Sequence, residues 1–346
     1  MRPEAKSSPV LGWAHQRTPV QLIALGALFW TCLSAAYGQP LTTQARSHFR
    51  IGLLTFNTPE ASVPFRDALL HGLNELGYLE GNNLTLVTRY ARDDPQEVVP
   101  LARELADSQI SVLVVTGAAT PGTLRVVRNI PVIYAFSGDP VAAGWAASLA
   151  APNEGATGIT WLSIELNGKR IGLLKEALPS LRRLAILANP LHPGEDTEIA
   201  ECRKAAEALG LTLLYLPARD TAELEDALHR LDAEGGADAI IALPDMLMVA
   251  QRGRIVEFAA ERRMPVISGW ARFAHSGALL TYGPNLPDSL RQLASYVHRV
   301  LTGTKPSALP IEQPTTFELV INLKTARRLG IELPPTLIAR ADEVIE

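Results

Sequence analysis

From Ile51 onward the chain alternates short apolar runs with stretches in which apolar residues recur every three or four positions. IGLLTF (51–56) precedes a segment whose Phe65, Ala68, Leu69, Gly72, Leu73 and Leu76 share one helical face, with Gly77 as the stop. LTLVTRY (84–90) follows, and Asp94-Pro95-Gln96-Glu97 opens a second helix that buries Val98, Leu101, Ala102 and Leu105. ISVLVVTG (110–117) and PVIYAF (131–136) are the third and fourth runs, separated by a short helix. The alternation then restarts with ATGITWL (156–162), RLAILAN (183–189), LTLLYLP (211–217), ADAIIAL (237–243) and PVISG (265–269), each beside a helical pattern.

Unbroken apolar runs mark strands buried on both faces, and their alternation with helices predicts parallel sheets covered on each side. Two sets of strands suit the length better than one sheet. The tail, GALLTYGPN (277–285), a helix over Leu290, Leu293, Val297 and Leu301, then FELVINLKTARRLGIELPP (317–335), reads as the chain crossing back between lobes. Apolar segments near 158–162, 279–282 and 317–321 are the expected crossovers. The predicted fold class is therefore α/β, two Rossmann-like lobes with parallel sheets joined by a three-segment hinge. Residues 49–156 plus 283–312 form the first lobe, and 157–282 plus 313–346 the second.

In open α/β sheets ligands sit beyond the carboxyl ends of the strands. Those ends are rich in small and polar residues here: Thr55, Phe56 and Asn57; Thr116 and Gly117; Ser137, Gly138 and Asp139; Asn189 and Pro190; Asp245; Trp270; and Tyr282. We take these as the candidate ligand-binding residues. Helix starts after Thr116 and Ser137 suit a carboxylate, Asp139 or Asp245 a cationic amine, and Phe56, Trp270 and Tyr282 an apolar or aromatic group. The set fits a zwitterionic amino acid or a similar small solute. Asp139-Pro140 also reads as the N-cap and first position of a helix, and Asp245 as a loop carboxylate.

The first forty residues change the picture. Arg2, Lys6 and Arg17 precede the apolar run PVQLIALGALFWTCLSAA, and Ala36-Tyr37-Gly38 places small residues ahead of Gln39. Residues 1–38 thus read as a cleaved signal peptide and the mature protein as periplasmic. Phe29-Trp30-Thr31 before Cys32 lacks the small residues of a lipoprotein signal, so no lipid anchor is expected. Removing three basic residues and one acidic residue from 32 Lys and Arg and 36 Asp and Glu leaves 29 against 35, a net charge near −6. Without a basic cluster, nucleic acid is not a partner. Cys202 is the single mature cysteine, so there is no internal disulfide and no paired-cysteine metal spacing.

Catalytic motifs are missing: the sequence has no GxxxxGK[ST], GxGxxG, HExxH or GxSxG. Of the histidines, only His192, after Asn189-Pro190, belongs near the cleft; Asp93-Asp94 reads as a solvated helix start, and Trp161 as packed at a crossover. No enzyme activity, cofactor or metal is expected.

YAFSGDPVAAGWAASLA, ATGITWLSIELNGKRIGLLKEALPSLRRLAILANP, GALLTYGPN and PIEQPTTFELVINLKTARRLGIELPPTLIARADEVIE together resemble the ABC-transporter substrate-binding protein family, of periplasmic binding protein type I architecture, over residues 49–346. The family's DPV-x-x-G turn corresponds to Asp139, Pro140, Val141 and Gly144, its NP turn to Asn189-Pro190 and its YG turn to Tyr282-Gly283. TFNTPEAS and LPDMLM depart from its usual pattern. The resemblance implies a monomeric receptor that closes on a solute and presents it to an ABC permease driven by a separate ATPase, some relatives binding aromatic amino acids. Other readings are a ligand-sensing module for a signalling partner and an exported hydrolase that uses Asp139 or Asp245.

Overall fold

The computed structural model describes residues 48–162, 164–233 and 235–346; the expected signal peptide lies outside them. Among the described residues no helix is long and apolar enough to cross a membrane.

The first sheet has five parallel strands: β1 (Phe49–Thr55), β2 (Leu84–Tyr90), β3 (Val112–Thr116), β4 (Val132–Phe136) and β7 (Ala156–Thr160), in the order β2-β1-β3-β4-β7. Adjacent residues feed opposite cores. Leu53, Val114 and Ile133 pack under α1 (Pro59–Glu75) and α10 (Leu286–Leu301), while Leu54, Val115 and Tyr134 pack under α2 (Pro95–Asp107) and α3 (Ala119–Val126). That is why these strands read as apolar without alternation. A small hairpin, β5 (Ala146–Ser148) and β6 (Ala151–Pro152), follows β4.

The second sheet has seven strands in the order β14-β13-β12-β11-β10-β8-β9. Its centre is β8 (Arg183–Ala188), β10 (Ala239–Ala242), β11 (Val266–Ser268) and β12 (Leu280–Pro284), with β9 (Thr212–Pro217) at one edge and β14 (Glu343–Ile345) at the other. Only the pairing of β12 with β13 (Phe317–Asn322) is antiparallel. The helices that frame the site are α4 (Glu165–Ala177), α5 (Glu195–Ala208), α7 (Met246–Ala250) and α9 (Ala271–His275).

Three expectations shift. Asp139-Pro140 opens a turn, not a helix: Ala143 N–H bonds Asp139 O and Trp145 N–H bonds Pro140 O, and the chain then enters β5. The apolar runs near 158–162, 279–282 and 317–321 lie largely in strands, and the crossings use the short links beside them. β7 joins the first sheet, although the expected lobe boundary fell at 156/157. The three links lie together. Thr160 N–H donates to Glu312 O at 2.9 Å, Gln313 Nε2 to Leu162 O at 2.7 Å, and Asn285 N–H to Thr316 O at 3.2 Å.

Candidate functional site

The carboxyl ends of both sheets converge on a cleft with two chambers that share Met246. The inner one, about 30 Å³, is walled by Asn57, Phe65, Thr116, Gly117, Trp161, Val249, Trp270, Arg272 and Leu286. That is room for about two waters. The outer one, about 530 Å³, has Phe56, Asp93, Ser137, Asn189, His192 and Asp245 on its walls.

Each wall residue is placed by a strand end. Trp161 follows β7 and Trp270 follows β11, so the two indoles come from opposite lobes, with ring centroids 6.4 Å apart and planes at 80°. Edge-to-face pairing of this kind is favourable, and the two rings meet at the wall of the inner chamber. Arg272 lies in the first turn of α9, two residues beyond Trp270. It reaches the first lobe, where Nη2 donates to Ala61 O at 2.9 Å and the guanidinium lies 4.5 Å from the Phe65 ring centroid. Burial and the neighbouring Arg252 lower its pKa, against the opposing pull of Asp93.

The outer chamber is closed on one side by polar contacts between lobes. His192 Nε2 lies 3.1 Å from Ser137 Oγ, and Asp139 N–H donates to Pro193 O at 2.8 Å. Behind His192 runs a buried chain. His192 Nδ1 is 3.5 Å from Glu198, Asn167 Nδ2 donates to Glu198 at 3.2 Å, and Arg170 Nη1 donates to Asn167 Oδ1 at 2.5 Å. Arg170 also donates from Nε to Tyr282 O at 2.7 Å.

Burial alone would lower the His192 pKa, but the hydrogen bond to Glu198 and the charges of Glu198, Asp245 and Glu195 outweigh it and hold it above the usual value. Ser137, His192 and Glu198 have the connectivity of a nucleophile, base and carboxylate. The same contacts also bridge the two lobes, His192 and Glu198 standing on the second and Ser137 on the first. A raised folded pKa stabilises the fold fully below the unfolded value, near 6.5, and that contribution fades as pH climbs through the folded value. The melting-temperature gap between the wild type and His192→Gln is therefore expected to be widest near pH 6 and to narrow toward pH 9. A gap that is flat with pH would remove the charge from this account.

Seven of the expected site residues, Phe56, Asn57, Thr116, Gly117, Ser137, Asn189 and Trp270, line the two chambers. Asp245 does too, but as a helix cap: Oδ1 accepts from Leu247 N at 2.7 Å and Met248 N at 3.3 Å, and Asn189 Nδ2 reaches Oδ2 at 3.3 Å. Burial raises its pKa against those donors and the His192 charge.

The rest lie elsewhere. Thr55 is buried against Ser62, Gly138 packs on Phe136 with its carbonyl held by Thr160, and Asp139 turns its carboxylate to Val141 N. Pro190 is exposed outside the cleft walls. Tyr282 points away, its hydroxyl accepting from Lys169 Nζ at 2.5 Å and its ring against Phe317.

The sequence reading passed over Phe65, Trp161 and Arg272. Trp161 stands at a strand end like the residues that were chosen, and Arg272 follows Trp270 within one helical turn; both positions carried the signal. Asp93, expected to be solvated, opens into the outer chamber with left-handed backbone geometry, φ 62°. Among the described residues no group of three or more His, Cys, Asp or Glu is placed to hold a metal ion.

Two α/β lobes whose strand ends face one another across a cleft, with the chain crossing between them three times, define a solute receptor of the periplasmic binding protein type I class. The chain belongs to the ABC transporter substrate binding protein family, whose model matches residues 51–345. It is 20% identical over 301 residues to a tyrosine-binding protein of Clostridioides difficile, with 86% of each chain covered. A crystal structure of a conserved domain protein from Vibrio cholerae is 26% identical with a TM-score of 0.78, covering 86% of this chain and 100% of that one. A Streptococcus pneumonia ABC domain solved in complex with L-Trp is 22% identical with a TM-score of 0.79, over the same shares.

Proposed function

We propose that the protein is the extracytoplasmic solute-binding component of an ABC uptake system, and that it takes an amino acid with an aromatic or similarly flat side chain. The observation that carries this reading is the aromatic lining of the inner chamber: Trp161 and Trp270, one indole from each lobe, meet edge to face there, with Phe65, Asn57 and Thr116 around them. A flat side chain that parts the two indoles on entering gains contact area and aromatic pairing geometry that an aliphatic chain of equal size does not. The tyrosine-binding relative and the L-Trp complex support the same class of solute.

The mechanism follows from the geometry. The inner chamber is too small for an indole, so a solute enters when the lobes part about the three links. Closure brings Trp161 and Trp270 together around it, and binding favours the closed form because only that form supplies both walls. The closed receptor then presents the solute to a permease served by a separate ATPase, as a monomer in the periplasm. We read no hydrolysis into the cleft.

The test is a thermal-shift screen of the purified chain against the twenty amino acids and a panel of sugars and polyamines. A solute at a hundred times its dissociation constant is expected to add about 2.7 kcal/mol, a shift of several degrees, for tryptophan, tyrosine or phenylalanine. Shifts with sugars or polyamines alone would sink the amino-acid reading.

A further inference from the structure

The inner chamber presents hydrogen-bond donors that have nothing to donate to. Trp161 is 8% exposed, and its Nε1, a donor only, is buried without a partner among the described residues. Arg272 spends one N–H on Ala61 O, and its other N–H groups find no acceptor among the described residues. Its charge is no better matched. Arg252 is a second cation nearby, and Asp93 acts on it through space without a hydrogen bond. A buried donor such as Trp161 Nε1 is normally paired, and the half-buried Arg272 guanidinium on the same chamber wall is cationic, so an acceptor with negative charge would answer both.

Resting on the solute-binding reading above, we propose that Arg272, with Trp161 Nε1 on the same chamber wall, is the specificity-determining receptor for the solute's carboxylate, and that it couples capture of that group to closure. Its guanidinium fork suits a carboxylate, which accepts two parallel N–H bonds. The coupling follows from where the side chain is rooted. Arg272 stands on the second lobe but lies against Ala61 and Phe65 of the first, so a carboxylate drawn to it is gripped where the lobes meet. Burial and Arg252 both disfavour the unpaired guanidinium, and an arriving anion relieves both.

The experiment pairs compounds that differ only at the carboxyl group: L-tryptophan with L-tryptophanamide, L-tyrosine with L-tyrosinamide, and indole-3-propionate with its amide. Calorimetry is run on the wild type, Arg272→Lys and Arg272→Met. The wild type is expected to prefer each acid about ten- to a hundredfold, the range for hydrogen bonds to a charged group. Arg272→Lys keeps part of that preference, and Arg272→Met erases it by weakening the acids while the amides move less than about threefold. Acids and amides bound alike by the wild type, or a preference that survives in Arg272→Met, would overturn the role of Arg272 and leave the solute-binding reading standing. If no member of the panel binds the wild type, both fall together. Melting curves of the two variants show whether each is folded, and Arg272→Lys, which keeps the charge, carries the comparison if Arg272→Met is not.

Discussion

Replacing Arg170 with Met is expected to cost about 3–5 kcal/mol of folding stability, the range for removing one member of a buried charged network. Arg170 is 2% exposed and sits beneath the carboxyl end of β11. Burial pulls its guanidinium pKa down to about 10, while Glu198 opposes that shift. Its loss strands the Tyr282 carbonyl and the Asn167 side-chain oxygen and takes a buried counter-charge from Glu198. Urea denaturation of the two proteins measures the difference. The double variant Arg170→Met, Glu198→Gln is expected to recover part of the loss, since it removes the abandoned carboxylate. A single-variant loss below about 1 kcal/mol would mean that the network contributes little.

Gly283→Ala is the second large effect. Gly283 closes β12 against the loop after β11, and a Cβ there would stand 1.8 Å from Gly269 O, a backbone atom that has no rotamer to escape into. Gly269 cannot retreat, because Pro244 and the Arg170 guanidinium already fill the space where its own Cβ would be. The expected loss exceeds about 3 kcal/mol, the upper end for overpacked cores. The same measurement checks it, with Gly303→Ala as a control: Gly303 meets no neighbouring atom but has left-handed φ, 103°, so its cost is backbone strain alone. Equal losses at the two positions would remove the argument from close approach.

The fold was legible because it rests on one-dimensional signals. Leu53 and Leu54 enter different cores, so β1 had to look apolar throughout, and Asp94 and Asp245 both cap helices with their side chains. Strand pairing was less so: β7 and β12 read as crossovers because an apolar run does not say which sheet receives it. At the site, strand ends pointed to Asn57, Thr116, Ser137 and Trp270, but side-chain direction did not follow from position. Tyr282 lies within β12 and Trp161 just beyond β7; the Tyr282 hydroxyl goes to Lys169 outside the cleft, while the Trp161 ring faces into it. Arg272 could be placed near the cleft by its distance from Trp270, but its reach to the first lobe could not. Its role depends on Ala61 and Phe65, more than two hundred residues earlier in the chain, and no local pattern records that meeting.

The bonds that join the rims have a consequence in time as well as in affinity. Ser137 to His192, Asp139 to Pro193 and Arg272 to Ala61 must all break before anything held between the indoles can leave. They resist arrival too, since a solute enters only when the lobes part and these bonds open. Every 1.4 kcal/mol they hold together therefore lengthens the residence of the cargo about tenfold and slows its entry by up to as much. An acceptor that prises the rims apart would discharge the cargo without having to compete for it.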